Sequence, residues 1–124
     1  MTLRWYTTVV EAGEPQRLAS FWAAALGWAA AYEEPDEVAI EAPDDPQDRV
    51  PAILFVRVPG AKTQKNRLHF DLDPDDQGAE VQRLLTLGAS HVDIGQHDVG
   101  WVVLADPEGN EFCVLTPRAP VVGR

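Results

Sequence analysis

One pattern, met twice, constrains this chain more than any other: a β-rich stretch, a helix closed by a Leu-Gly pair, then three further apolar stretches. In the first half LRWYTTVV is rich in β-branched and aromatic residues and predicts a strand. Pro15 suits a first helical turn, Leu18, Phe21, Trp22, Ala25 and Leu26 recur at helical spacing, and Gly27 is the residue expected just past the end. WAAAYEE, EVAIEA and PAILFVRVP supply three strands, with the turn-rich loop DDPQDR before the last. In the second half RLHFDLD alternates like a half-buried strand, and DDQGAEVQRLLTLG predicts a helix capped by Asp75 or Asp76 and ended by Gly88. HVDIG, WVVLA and EFCVLTP complete the series. The two Leu-Gly pairs lie 88 − 27 = 61 residues apart, close to half of the 124-residue chain, so the order of elements points to an internal duplication although residue identity between the halves is low.

Neither half can easily bury both a sheet and a helix alone, so the halves are expected to share one sheet in a single α+β domain spanning residues 1–124. Module one is placed at about 1–60 and module two at about 66–118, with the polar GAKTQKN as a flexible linker. Ten Lys and Arg against twenty Asp and Glu give a formal net charge of −10, a field that repels phosphate backbones and acidic membrane surfaces. Nucleic acid and membrane are therefore not expected as partners. Cys113 is the only cysteine, which excludes an intrachain disulfide and metal sites built on thiolates. With no signal-peptide pattern and no apolar run long enough for a bilayer, the expected location is the cytoplasm.

LASFWAAALGW in the first half, with KNRLHFDLD and LADPEGNEFCVL in the second, resembles the glyoxalase/bleomycin-resistance/dioxygenase, or vicinal oxygen chelate, superfamily, and more narrowly the small glyoxalase-like proteins common in actinobacteria. The resemblance runs from about Leu3 to Pro117. It implies two βαβββ modules curled around a cleft, commonly in a homodimer. In metal-dependent members four inward side chains, two from each module, hold a divalent ion. The second module's pair is a His on its first strand and a Glu on its last, positions occupied here by His69 and Glu111.

Read physically, alternation sets His69, Asp71 and Asp73 on one face of their strand and Leu68, Phe70 and Leu72 on the other. It sets Glu111 with Cys113 and Leu115, so a carboxylate heads an otherwise apolar face and needs compensation from a metal, a His or a cation. The first module offers no clear counterpart: a shift of 61 from His69 gives Thr8, the turn alignment gives Tyr6, and PAILFVRVP carries Arg57 but no carboxylate. The four-ligand set thus looks incomplete, and no cofactor is expected, with a divalent metal on His69 and Glu111 as the alternative. Arg57 would oppose such an ion and is able to pair with Glu111.

The expected ligand-binding surface is Tyr6, Thr8, Phe55, Arg57, Asp71 and Trp101, with Glu111 as general base and His69 as its partner should the protein catalyse a lyase or isomerase step. The leading expectation is a glyoxalase-like protein that binds a small organic molecule between the modules. The rival is metal-free sequestration of a cationic drug-like ligand, as in bleomycin-resistance members. His91 and His97 lie beside turn residues and are read as solvated, Trp22 as core, and Trp5 and Trp28 as packing residues between modules or across a dimer interface. Asp106, opening the turn DPEGN, is expected to bond nearby backbone amides.

Overall fold

In a computed structural model, which describes residues 2–45, 50–96 and 99–118, the chain divides into two compact units, Met1–Ala61 and Lys62–Arg124. Each runs strand, helix, three strands.

In the first unit β1 (Thr7–Ala12) leads into α1 (Pro15–Leu26), followed by β2 (Ala29–Glu34), β3 (Glu37–Glu41) and β4 (Ala52–Arg57). The sheet order is β1-β4-β3-β2, with β1 parallel to β4 and the other pairs antiparallel. Alternation decides the core: Val38 pairs with Phe55 and Ile40 with Ile53, and all four are buried under α1, whose Leu18, Phe21 and Trp22 are buried in turn. Gly27 ends α1 at φ 70°, a conformation that disfavours residues carrying a β-carbon, and its N–H returns to the Ala23 carbonyl. Arg57 donates from Nε to Asp36 Oδ1 at 3.0 Å, from Nη1 to the Gly13 carbonyl at 2.8 Å, and from Nη2 to Gln16 Oε1 and the Pro35 carbonyl at 3.3 and 3.0 Å. It ties the end of β4 to the helix entry and to the β2–β3 turn.

The second unit repeats the plan with β5 (Phe70–Leu72), α2 (Gln77–Leu87), β6 (Ser90–His91), β7 (Val102–Ala105) and β8 (Glu111–Val114), in the sheet order β5-β8-β7-β6. Again the first strand lies parallel to the last, while β8 and β7 and then β7 and β6 pair antiparallel. Asp76 caps α2, its Oδ1 accepting from Ala79 N–H at 3.0 Å. Phe112, Val114 and Leu104 are fully buried on one side of the sheet, and α2, with Val81 and Leu84 buried, packs on β8.

The element order and the α+β class agree with the sequence reading. Hydrogen bonding corrects it in four places. The strands form two four-stranded sheets, one per unit, rather than one shared sheet, because each unit closes its own ladder by pairing its first strand with its last. The strand expected in LRWYTTVV begins only at Thr7, leaving Trp5 and Tyr6 73% and 87% exposed. RLHFDLD contributes only Phe70–Leu72, and Leu68, expected on the packed face, is 88% exposed. The strand expected in HVDIG is the two-residue β6, ending at His91. His97 and most of the DDPQDR loop lie outside the described residues.

Phe55 has no exposed surface, so Phe55→Ala is expected to cost about 3–5 kcal/mol, as core aromatic truncations do. Urea denaturation checks this, with Leu68→Ser as a comparison expected to stay within about 0.5 kcal/mol of the parent.

Candidate functional site

The site is built on the parallel pair β5 and β8. Its register sets Phe70 beside Phe112, Asp71 beside Cys113 and Leu72 beside Val114. Since partners in a ladder point the same way and successive residues point oppositely, Phe70, Leu72, Phe112 and Val114 share the buried apolar side, whereas Asp71 and Cys113 share the other. On that second side His69 Nε2 lies 3.1 Å from Asp71 Oδ1, and the Cys113 thiol lies beside the Asp71 carboxylate, within 4.8 Å. The three candidate donor atoms of His69, Asp71 and Cys113 all fall within 4.8 Å of one another. The His69 and Asp71 side chains are 42% and 55% exposed, while Cys113 and its register partner Val103 are buried, so the cluster has an apolar floor and an open rim. Burial pushes the thiol up from its ordinary pKa, and the charge of the neighbouring Asp71 adds to the rise.

Glu111 is engaged elsewhere. Its Oε2 takes Lys62 Nζ at 2.8 Å and its Oε1 accepts Asn66 N–H at 3.0 Å, and both members of the ion pair are largely buried, at 20% and 11% side-chain exposure. Burial raises the proton affinity of this carboxyl, but the Lys62 and Asn66 hydrogen bonds together outweigh it and hold the pKa below its ordinary value. Asn66 also donates from Nδ2 to Asn110 Oδ1 at 2.9 Å. The segment expected to be a flexible linker is therefore pinned at two points to the β7–β8 hairpin. That hairpin is rigid in its own right: buried Asp106 accepts through Oδ1 from the Glu108 and Asn110 backbone N–H groups at 3.0 and 2.9 Å. This is the backbone-bonding role expected of it.

Among the described residues no hydrogen bond or ion pair joins His69 to Glu111. The structure brings His69 together with Asp71. Phe55 lies in the first unit's core, and Arg57 is committed to the four bonds given above. Thr8 pairs with Ile53 and so takes the core-facing side of its sheet. Tyr6 stands in the exposed segment before β1, and Trp101, 43% exposed, directly precedes β7. His91 is exposed on β6.

The alignment between units also changes. α1 has 12 residues and α2 has 11, so an offset counted at the helix ends differs by one from that at their starts, 77 − 15 = 62. With the latter, His69 corresponds to Thr7 and Asp71 to Val9. Through the registers Val9 beside Leu54 and Asp71 beside Cys113, Glu111 then corresponds to Ala52. A one-residue slip had placed the comparison on the wrong face.

The His69 and Glu111 pair that the resemblance implies for this unit does not fit an ion, because Glu111 is already held by Lys62 and His69 meets Asp71 instead. Thr7 and Ala52, at the corresponding places in the first unit, carry no imidazole, thiol or carboxylate. The group that does converge contains Cys113. The exclusion drawn from the single cysteine reaches too far: it holds for sites with several thiolates, and a mixed His, Asp and Cys set escapes it. Lys62 and Asn66 were missed because nothing in a polar linker signals which of its residues will dock.

The glyoxalase-like domain family model matches residues 7–115. The chain belongs to that family. No curated protein matches it. Among solved structures, it resembles a glyoxalase-related enzyme from Fulvimarina pelagi, with 13% identity and a TM-score of 0.66 over 91% of this chain and 87% of that one. The fosfomycin resistance protein FosX from Mesorhizobium loti matches at 14% identity and a TM-score of 0.64, covering 95% and 94%. A bleomycin resistance determinant encoded on the transposon Tn5 matches at 15% and 0.60, covering 94% and 100%. At these identities the likeness is one of fold, that of the glyoxalase/bleomycin-resistance/dioxygenase superfamily.

Replacing Lys62 tests the compensation of Glu111. Lys62→Met is expected to cost about 1–3 kcal/mol at pH 7. A carboxyl whose folded pKa is lowered contributes stability that is complete above its unfolded value and lost as pH falls through the folded one. The deficit of Lys62→Met should therefore shrink on acidification to about pH 3, and an equal deficit at both pH values in urea denaturation would assign it to the packing of the lysine stem instead.

Proposed function

We propose that this glyoxalase-like protein binds a small organic molecule on the face of the second sheet that carries His69, Asp71 and Cys113. The observation carrying the reading is the convergence of three polar donors at one partly open point above an apolar floor. Pockets for small ligands have this composition, with few polar groups fixing orientation against an apolar wall. Trp101, exposed at the start of β7, supplies a flat ring for stacking. In a catalytic form of this reading the reaction is a lyase or isomerase step on a proton beside a carbonyl. His69 is then the group in position to move the proton, with Asp71 orienting its ring. Glu111, with both oxygens engaged, positions the start of β8.

A second reading, sequestration of a cationic ligand, is favoured by the net charge of −10 and by the exposure of Asp71. Tryptophan fluorescence separates the two. Titration with a basic glycopeptide and with a panel of neutral α-hydroxycarbonyl compounds, both in the presence of chelator, should give saturable quenching by one class. Asp71→Asn should weaken cation binding at least tenfold, whereas His69→Ala should abolish turnover of a carbonyl substrate. Indifference to both classes, or binding unchanged in both variants, counts against this face as the site.

The expected homodimer belongs to this reading. Leu3, Trp5 and Tyr6 expose 85%, 73% and 87% of their surface within one short segment. Sedimentation velocity should report a dimer, and a 13.6 kDa monomer at high concentration would remove it from the account.

A further inference from the structure

We infer that His69, Asp71 and Cys113 form a three-ligand site for a thiophilic divalent transition metal of the zinc or cobalt type, open to a fourth ligand on its exposed side. The inference rests on the reading of this face as the ligand site and adds an ion that the same three side chains would hold beside the organic molecule. It is one step along the ladder from the family's His and Glu positions. Only His69 is shared with that pattern, the carboxylate comes from the first strand rather than the last, and the third donor is sulfur.

Three features carry it. The donor atoms already lie within 4.8 Å of one another, with His69 Nε2 and Asp71 Oδ1 at 3.1 Å. Metal–ligand distances of about 2.0–2.3 Å in a tetrahedron require donors about 3.3–3.6 Å apart, a change that side-chain rotation on a fixed ladder can supply. The Asp71–Cys113 register holds two of the three ligands on neighbouring strands, so their spacing does not depend on a loop. The donor chemistry selects the metal: a thiolate with an imidazole favours zinc or cobalt over magnesium or calcium, which prefer all-oxygen sets. Three protein ligands with an open position are the arrangement of sites that bind a substrate or water rather than purely structural ones.

Loading is balanced simply. The Cys113 thiol proton leaves to solvent as the sulfur binds, and the His69 ring proton resides on the nitrogen that does not ligate. The Asp71 carboxylate exchanges its contacts with His69 and Cys113 for one with the ion.

Cobalt(II) is the probe, added to chelator-treated protein without any organic ligand. Failure here is thus separate from failure of the fluorescence titrations, which are run metal-free. The expected result is one cobalt per chain, with a near-ultraviolet thiolate-to-cobalt charge-transfer band. The band is lost in Cys113→Ser, and affinity falls at least tenfold in His69→Ala and in Asp71→Asn. Because Cys113 is buried and its replacement can perturb folding, Asp71→Asn, at an exposed side chain, decides the matter if Cys113→Ser fails to fold. Absence of the band in the parent protein overturns the inference. So does a band that survives in folded Cys113→Ser, or one removed by Glu111→Gln but not by Asp71→Asn.

Discussion

The second unit depends on one compensated charge. A carboxylate at the head of a mostly buried strand is costly, and Glu111 is tolerated there because Lys62 and the Asn66 amide reach it from the segment that opens the unit. The exchange works in both directions. Glu111 gains its partners, and a stretch with no secondary structure of its own gains an anchor on the β7–β8 hairpin. That hairpin is already stiffened by Asp106, so the start of β8, and with it the register against β5, is set from several sides.

A division of labour along one face of the sheet follows from that register. Glu111 and Cys113 point the same way from β8, two residues apart, yet their surroundings differ. Glu111 meets a lysine and an amide, whereas Cys113 sits beside Asp71, which in turn meets His69. The first position is closed by the protein's own groups; the second is left partly open. The side chains left accessible on this face are those of His69 and Asp71, beside the buried Cys113. Among its described residues the first unit, with Thr7, Val9, Ala52 and Leu54 at the corresponding places, offers no matching cluster. The two units keep one topology and differ in what their sheets present.

Much of the fold was legible in the sequence because it rests on periodicity and end signals. Trp22 recurs at helical spacing and is buried, Gly27 and Gly88 do close the two helices, and the strands in EVAIEA and WVVLA fall where alternation and β-branched residues place them. The site was legible only in part. Alternation correctly set Asp71 with His69 and Cys113 with Glu111, but which strand lies beside which is a tertiary fact, and only the parallel pairing of β5 with β8 brings Asp71 to Cys113. The counterparts in the first unit were displaced because the helices differ by one residue, and in a strand one residue exchanges the faces. That slip separates Thr7 from Thr8. Lys62 and Asn66 carry no periodic signal at all, since their placement comes from docking onto a hairpin distant in sequence.

The central claim is that Glu111 is a charged, internally satisfied anchor. The most direct measurement is the titration of its side-chain carboxyl carbon by NMR in the intact protein. The account predicts a pKa below the ordinary glutamate value of 4.5, the attraction of Lys62 and Asn66 outweighing burial. A value at or above 4.5 would mean that the carboxylate lacks these partners in solution and stands free at the sheet face, which contradicts the account.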